Sequence, residues 1–427
     1  MSRFTADVYQ NEFLPLGATE VDAVVTVTAL DGAVAGVVAG PIRAAEVVIV
    51  DTSGSMAVPP TKLKAARQAT AAAVDAIRDG VEFAIVAGTD RATPVFPAHG
   101  LATASAETRA QAKAAIEELE AAGGTAIGSW LELARELFAG ASVDLRHAIL
   151  VTDGQNQHET PEELERVLAA CNGRFQCDCR GVGTDWEVAE LRRVASALLG
   201  SVDIVPRPEE LAADFRAMTE RAMARGTADV ALRLWSPQGA TVAFVKQVAP
   251  TIEDLTERAV AVDVLTADYP TGAWGQEARD YHVRIHVTAR EAGDEVLAGR
   301  LGLVVDGALI TQALVRAIWT EDAELSTRIN PEVAHYTGQA ELAEAIQEGL
   351  EARRTGDEAG ATFKLGRAVQ LAAEGGNEGT LQLLGRVVDV DDPATGTVRL
   401  KRHVEDVDEM SLDTRSTKTV RVQRPAS

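Results

Sequence analysis

The sequence predicts an α/β chain: a doubly wound, mostly parallel sheet, then an antiparallel β-sandwich, then a small C-terminal helical region. Three observations carry this reading. From residue 46 to 225 short apolar runs alternate with amphipathic stretches, the pattern of repeated strand–helix units. From 227 to 308 apolar and polar residues alternate in runs divided by Gly, Pro and Asp, the pattern of half-buried antiparallel strands. From 309 to 390 the apolar spacing becomes helical. A chain of 427 residues, 46% hydrophobic and 25% charged, can bury a sizeable core. With only 4% aromatic residues, that core must be aliphatic.

Taken in order, residues 1–45 hold one alternating run, VDAVVTVTAL (21–30), and a Gly/Ala stretch ending at Pro41. They are expected to pack with the later sandwich, so that the parallel domain is inserted between two β elements. In 46–225 the strand runs are EVVIV (46–50), VEFAIV (81–86), HAILVT (147–152), RGVG (180–183) and VDIV (202–205). Helical stretches at 61–79, 105–121, 126–139, 160–170, 187–199 and 208–225 separate them. Thr160-Pro161-Glu162-Glu163 places a capping residue, a proline at the first helical position and an acid at the third. ADVALRLWS, QGATVAFVKQVAP, ERAVAVDVLTA and RDYHVRIHVTAR supply the sandwich strands. Residues 341–376 read as a helical pair around Thr355-Gly356-Asp357, and 391–427, rich in both charge signs, as a flexible tail.

The net charge of −23 is a poor starting point for gripping a phosphate backbone, so no nucleic acid is expected. No apolar run is long enough to cross a membrane, and the first residues lack a basic start followed by an apolar stretch. Three cysteines, Cys171, Cys177 and Cys179, are an odd number with no histidine at zinc-site spacing, so buried thiols are expected. The chain reads as cytoplasmic.

The chemistry concentrates in VVIVDTSGSM (47–56), where a buried strand ends in Asp51 and a glycine-containing turn carries Ser53 and Ser55. One carboxylate and two hydroxyls on a tight loop form a hard-oxygen surface suited to Mg²⁺ or Mn²⁺. AAGGTAIGS (121–129) offers Thr125 between a glycine pair and a helix, and AILVTDGQN (148–156) offers Asp153 after another apolar strand. In a doubly wound sheet, ligands gather beyond the carboxyl ends of the strands. If the 46–50 and 147–152 strands are neighbours, Asp51 and Asp153 stand side by side.

Residues 46–225 resemble a von Willebrand factor A domain of the bacterial multidomain type. Asp51, Ser53, Ser55, Thr125 and Asp153 fill all five positions resembling its metal-ion-dependent adhesion site. The resemblance implies Ser53, Ser55 and Thr125 as direct ligands, with Asp51 and Asp153 often acting through water. It implies a spare coordination position that takes a carboxylate from a protein partner. It also implies strand order 3-2-1-4-5-6, with TPVFPA (93–98) as an antiparallel edge where Pro94 and Pro97 are tolerated.

The function expected is therefore a non-enzymatic, Mg²⁺-dependent interaction module or scaffold of an intracellular bacterial assembly. The resemblance also implies a MoxR-type ATPase as a partner class, since multidomain bacterial proteins of this kind often work beside such ATPases. The alternative is a metal-dependent hydrolase using the same Asp/Ser/Thr site, for which a general base is missing: His147 precedes a buried strand and His158 sits in a polar loop. No G-x-x-x-x-G-K-[ST] motif is present, which excludes a P-loop ATPase. His282 and His286 are expected on a solvated strand face, and Asp185-Trp186 as the start of the 187–199 helix. In the tail, Thr414, Thr417 and Thr419 are expected to be exposed hydroxyls open to phosphorylation. Thr417 and Thr419 have valine three residues on, a spacing resembling ligands of forkhead-associated domains.

Overall fold

Ala44–Asp51 is buried at every position and runs along the centre of a seven-stranded sheet. A strand covered on both faces needs consecutive apolar residues, which Val47, Val48, Ile49 and Val50 supply. The computed structural model describes residues 4–30 and 43–422; the Gly/Ala stretch ending at Pro41 lies outside the described residues. Parallel neighbours flank the central strand: Glu82–Gly88 on one side and Leu145–Thr152 on the other. Gln176–Val182 and Val202–Val205 extend the sheet in parallel. Ala92–Phe96 closes the opposite edge antiparallel, giving the order 3-2-1-4-5-6, with Ala102–Thr103 paired off this path.

Among the described residues six α-helices of 10 to 16 residues clothe this sheet, among them Thr61–Ala76 packed with Leu211–Ala224, and Ile127–Ala139 packed with Pro161–Cys171. Buried Ala65, Ala66, Ala69 and Ala73 let the first of these lie close to its neighbours. Pro161–Cys171 starts at Thr160, whose hydroxyl accepts from the Glu163 amide while Glu163 returns a bond to the Thr160 amide. All three cysteines are free and buried.

A buried ionic group lies at the amino ends of the same strands. Glu46 and His147 are register partners on adjacent strands. His147 Nδ1 is 2.8 Å from Glu46 Oε1, and Nε2 is 2.9 Å from Asp178 Oδ2. Burial alone would lower the imidazole pKa, but the two carboxylates outweigh it and hold His147 at about 9. Burial would likewise raise Asp178, yet His147, Arg225 and Arg180 pull it well below the usual carboxylate range.

This sheet belongs to a unit of residues Ala35–Gly226; the other unit joins Met1–Val34 to Thr227–Ser427. In the second unit, Phe4–Gln10, Glu20–Ala29, Ala278–His286, Thr241–Ala249 and Glu253–Asp254 form a five-stranded antiparallel sheet in that order. A six-stranded sheet runs Val260–Asp263, Thr266–Pro270, Val230–Trp235, Glu295–Val305, Ala308–Thr320 and Phe13–Pro15, with only the last pair parallel. The N-terminal segment thus gives strands to both sheets. The sheets meet closely at Gly299, where a Cβ would come within 2.8 Å of Ile285 Cδ1.

Three expectations are corrected here. Helical structure does not begin at 309: Ala308–Thr320 is a strand, with Ala313, Val315, Ala317 and Trp319 buried in alternation. His282 is not solvated. It lies on a strand with neighbours on both sides, 2.8 Å from Asp22 Oδ1 and edge-on to the Phe244 ring. Nor do the described residues 391–422 of the expected 391–427 tail form a flexible segment. Val388–Asp392 and Thr397–Leu400 form a hairpin, and Asp406–Arg415 a helix. Val388, Val398 and Leu412 enter the core of the helical pair Pro331–Arg354 and Glu358–Glu374. The opposite charges pair with this scaffold and with each other: Arg353 with Glu409, Arg354 with Asp413, Arg399 with Asp391.

The threonines follow the same correction. Thr414 is buried at 1% exposure. The Thr419 hydroxyl donates to Val248 O, and the Thr417 carbonyl accepts from the Ile252 amide. None is a hydroxyl on mobile backbone, so the forkhead-associated reading has lost its support.

Candidate functional site

Asp51 ends the central strand, and Asp153 directly follows Leu145–Thr152, whose Val151 is the register partner of Val50. Two adjacent parallel strands therefore deliver two carboxylates to one crevice, and both residues are fully buried. Asp51 Oδ1 accepts from the Ser53 amide at 2.7 Å, while Oδ2 accepts from the Thr152 hydroxyl. Burial raises the Asp51 carboxyl to about 6 against those hydrogen bonds. Asp153 Oδ1 accepts from Ser55 Oγ at 2.6 Å, and Ser55 Oγ lies 2.9 Å from Ser53 Oγ.

The loop bearing Thr125 is locked to the serine loop by backbone bonds. Gly54 N donates to Gly123 O, and Ala122 N to Thr52 O, at 3.0 and 2.8 Å. Gly123 takes a φ of +76°, which only glycine adopts readily. His158 holds the next turn: its Nδ1 accepts from the Thr125 amide at 3.2 Å, and its own amide donates to Thr125 O. The imidazole lies against Gly124, where a Cβ would fall 1.9 Å from His158 Cε1. Ile127–Ala139 has no side-chain cap at its start; Asn156 Oδ1 and Glu159 Oε1 accept from the amides of Ile127 and Gly128 instead.

Three of the five predicted residues meet at Gly154, and Asp153 joins them through Ser55. A Cβ built there would lie 3.2 Å from Ser55 Oγ, 3.3 Å from Thr125 Oγ1 and 3.9 Å from Ser53 Oγ. Three hydroxyls thus surround one point beside two carboxylates. Among the described residues no group of three or more His, Cys, Asp or Glu is placed to hold a metal. The donor set is instead hydroxyl-rich and all-oxygen, which fits a hard divalent cation. Neutral hydroxyls leave such an ion electrophilic enough to accept an outside anion.

Four participants escaped the sequence reading. Thr152 and His158 fix Asp51 and Thr125, and Gly154 keeps the crevice open. Lys62, in the first turn of Thr61–Ala76, reaches Asp153 Oδ2 at 2.6 Å and Asp185 Oδ2 at 3.1 Å. Asp185 is therefore not the start of the following helix, whose N-cap is Glu187. The one signal for Lys62 was its position: a lysine opening the helix that follows the Asp-Ser-Ser loop.

Comparison with known proteins places these features. Residues 45–204 match the von Willebrand factor type A domain, and residues 370–416 the von Willebrand factor type A C-terminal domain. A solved von Willebrand factor type A protein from Catenulispora acidiphila is 50% identical, with 99% of this chain and 98% of that one covered and a TM-score of 0.93. The ArnB paralog VWA2 from Sulfolobus acidocaldarius shares the fold at 13% identity, with 98% and 100% covered and a TM-score of 0.58. A curated Synechocystis protein is 29% identical over 213 residues, and that match spans 49% of each chain, about half the length of the relative. Domains of this family generally mediate protein–protein interactions and commonly bind a divalent metal. The chain belongs to the von Willebrand factor type A family.

Proposed function

We propose that the chain is a non-enzymatic interaction module that binds Mg²⁺ or Mn²⁺ through Ser53, Ser55, Thr125, Asp51 and Asp153. Its ion takes a carboxylate from a protein partner. The observation that supports this best is the convergence of three hydroxyls around Gly154 beside two buried carboxylates. The second unit adds two sheets and a helical core, surfaces for an assembly. A MoxR-type ATPase is the partner class that the sequence resemblance adds; the site itself selects only an acidic group. The hydrolase alternative lacks a base. His147 is bound by Glu46 and Asp178 at the amino ends of the strands, and His158 Nδ1 already accepts the Thr125 amide.

Because such an ion binds the folded crevice and not the unfolded chain, saturating MgCl₂ or MnCl₂ is expected to raise the unfolding temperature. At a hundredfold excess over Kd the gain is about 2.7 kcal/mol. Asp153→Ala and Thr125→Ala should remove the gain, with the loss read by scanning fluorimetry with and without EDTA. An increment unchanged in both variants would exclude these residues as ligands.

A further inference from the structure

Lys62 is out of place by local rules. It lies in the first turn of Thr61–Ala76, where the helix dipole disfavours a cation, and that turn contains no acid to offset it. The N-cap is Pro60, which supplies no side-chain cap. The lysine side chain is only 11% exposed. What compensates is Asp153, fully buried, at 2.6 Å, with Asp185 at 3.1 Å from the rim, where its side chain is 68% exposed. The ammonium therefore rests on one of the two carboxylates that the divalent ion needs, while the other oxygen of Asp153 accepts from Ser55.

We propose that Lys62 is a resident counter-cation that weakens the site's affinity for a divalent ion. This rests on the metal reading of Asp51, Ser53, Ser55, Thr125 and Asp153. Asp51, Asp153 and the rim carboxylate of Asp185, with one ammonium among them, carry two net negative charges instead of three. An entering dication meets a fixed like charge beside the fully buried Asp153, where repulsion is screened less than at an open surface. The consequence is graded control: metal and partner carboxylate must together outweigh Lys62, so the ion is held weakly until an acidic partner adds its own negative charge. Lys62 is a tuning residue here and not a ligand.

The test is isothermal titration of MnCl₂ into the full-length protein and its Lys62→Met, Lys62→Gln and Lys62→Arg variants. Circular dichroism confirms that each is folded. Lys62→Met and Lys62→Gln are expected to bind Mn²⁺ about tenfold or more tightly than the wild type, about 1.4 kcal/mol per decade. Lys62→Arg, which keeps the charge, should stay near the wild-type affinity. Equal or weaker binding by both neutral variants, with the wild type binding measurably, overturns the counter-cation role and leaves the metal site standing. Tightening in Lys62→Arg equal to that in Lys62→Met also overturns it, since charge would not be the cause. No binding by any of the four proteins overturns the metal reading and this inference together.

Discussion

Replacing His147 with leucine is expected to cost the parallel-sheet unit about 3–5 kcal/mol, the range for leaving a buried charge without its partner. Glu46 is fully buried on the central strand, and the hydrogen-bond partner that the structure gives its carboxylate is His147. Asp178 retains Ser201, whose amide and hydroxyl both donate to Oδ1, with Arg225 at 3.8 Å. The loss therefore falls chiefly on Glu46. Substituting the register pair together, Glu46→Leu with His147→Leu, should recover most of it, because apolar residues of similar volume often replace a buried ion pair without loss. Urea unfolding of the three proteins measures this; a double variant no more stable than His147→Leu would show that packing, not charge, is lost.

The same group sets a pH dependence. His147 has a folded pKa of about 9 against an ordinary value of 6.5. A base whose pKa is raised on folding contributes stability that is fully present below the unfolded value. That contribution is lost as pH rises through the folded value. The unfolding temperature of the wild type should therefore decline between about pH 6.5 and pH 9 more steeply than that of the double variant.

The parallel sheet and the five oxygen-bearing residues were legible because their signals are local. Asp51 directly follows an apolar run, Asp153 stands one threonine beyond another, and Thr125 follows a glycine pair. What escaped depends on partners distant in sequence. Lys62 gains its meaning from Asp153, 91 positions on, and His147 from Glu46, 101 positions back. The strand Ala308–Thr320 escaped for another reason. Its buried residues alternate, but two of the four are alanines, and ALVRAIW reads equally as a helical run. The C-terminal region escaped because composition is an average. Val388, Val398 and Leu412 are few among many charges, yet each is placed to enter a core that residues 342–384 have already built.

The last segment shows how far a polar stretch can be held by specific pairs. Asp280 is 2% exposed and sits on a strand between two others. Thr26 Oγ1 donates to its Oδ1 at 2.6 Å, and the Tyr336 hydroxyl donates to Oδ2. Its countercharge comes from Arg421, whose Nε and Nη2 reach the two carboxylate oxygens at 2.9 and 2.8 Å. Burial would raise the Asp280 carboxyl, but Arg421, Thr26 and Tyr336 hold it below its ordinary value. Around this fork the backbones of Thr251 and Lys418 pair as an antiparallel bridge, the Thr419 amide donates to Pro250 O, and Val422 packs on the cluster of Val24, Val248 and Tyr336. Arg421→Ala should therefore destabilise the two-sheet unit. Since Arg421 is 40% exposed and water can partly replace it, the expected cost is about 2–3 kcal/mol, below the full buried-pair range. Asp280→Asn added to Arg421→Ala should recover about 1 kcal/mol or more, because the amide keeps an acceptor and removes the uncompensated charge. Urea unfolding of the double-mutant cycle gives the coupling directly. Additive losses would mean that the guanidinium contributes only its packing, and that Asp280 is held by Thr26 and Tyr336 alone.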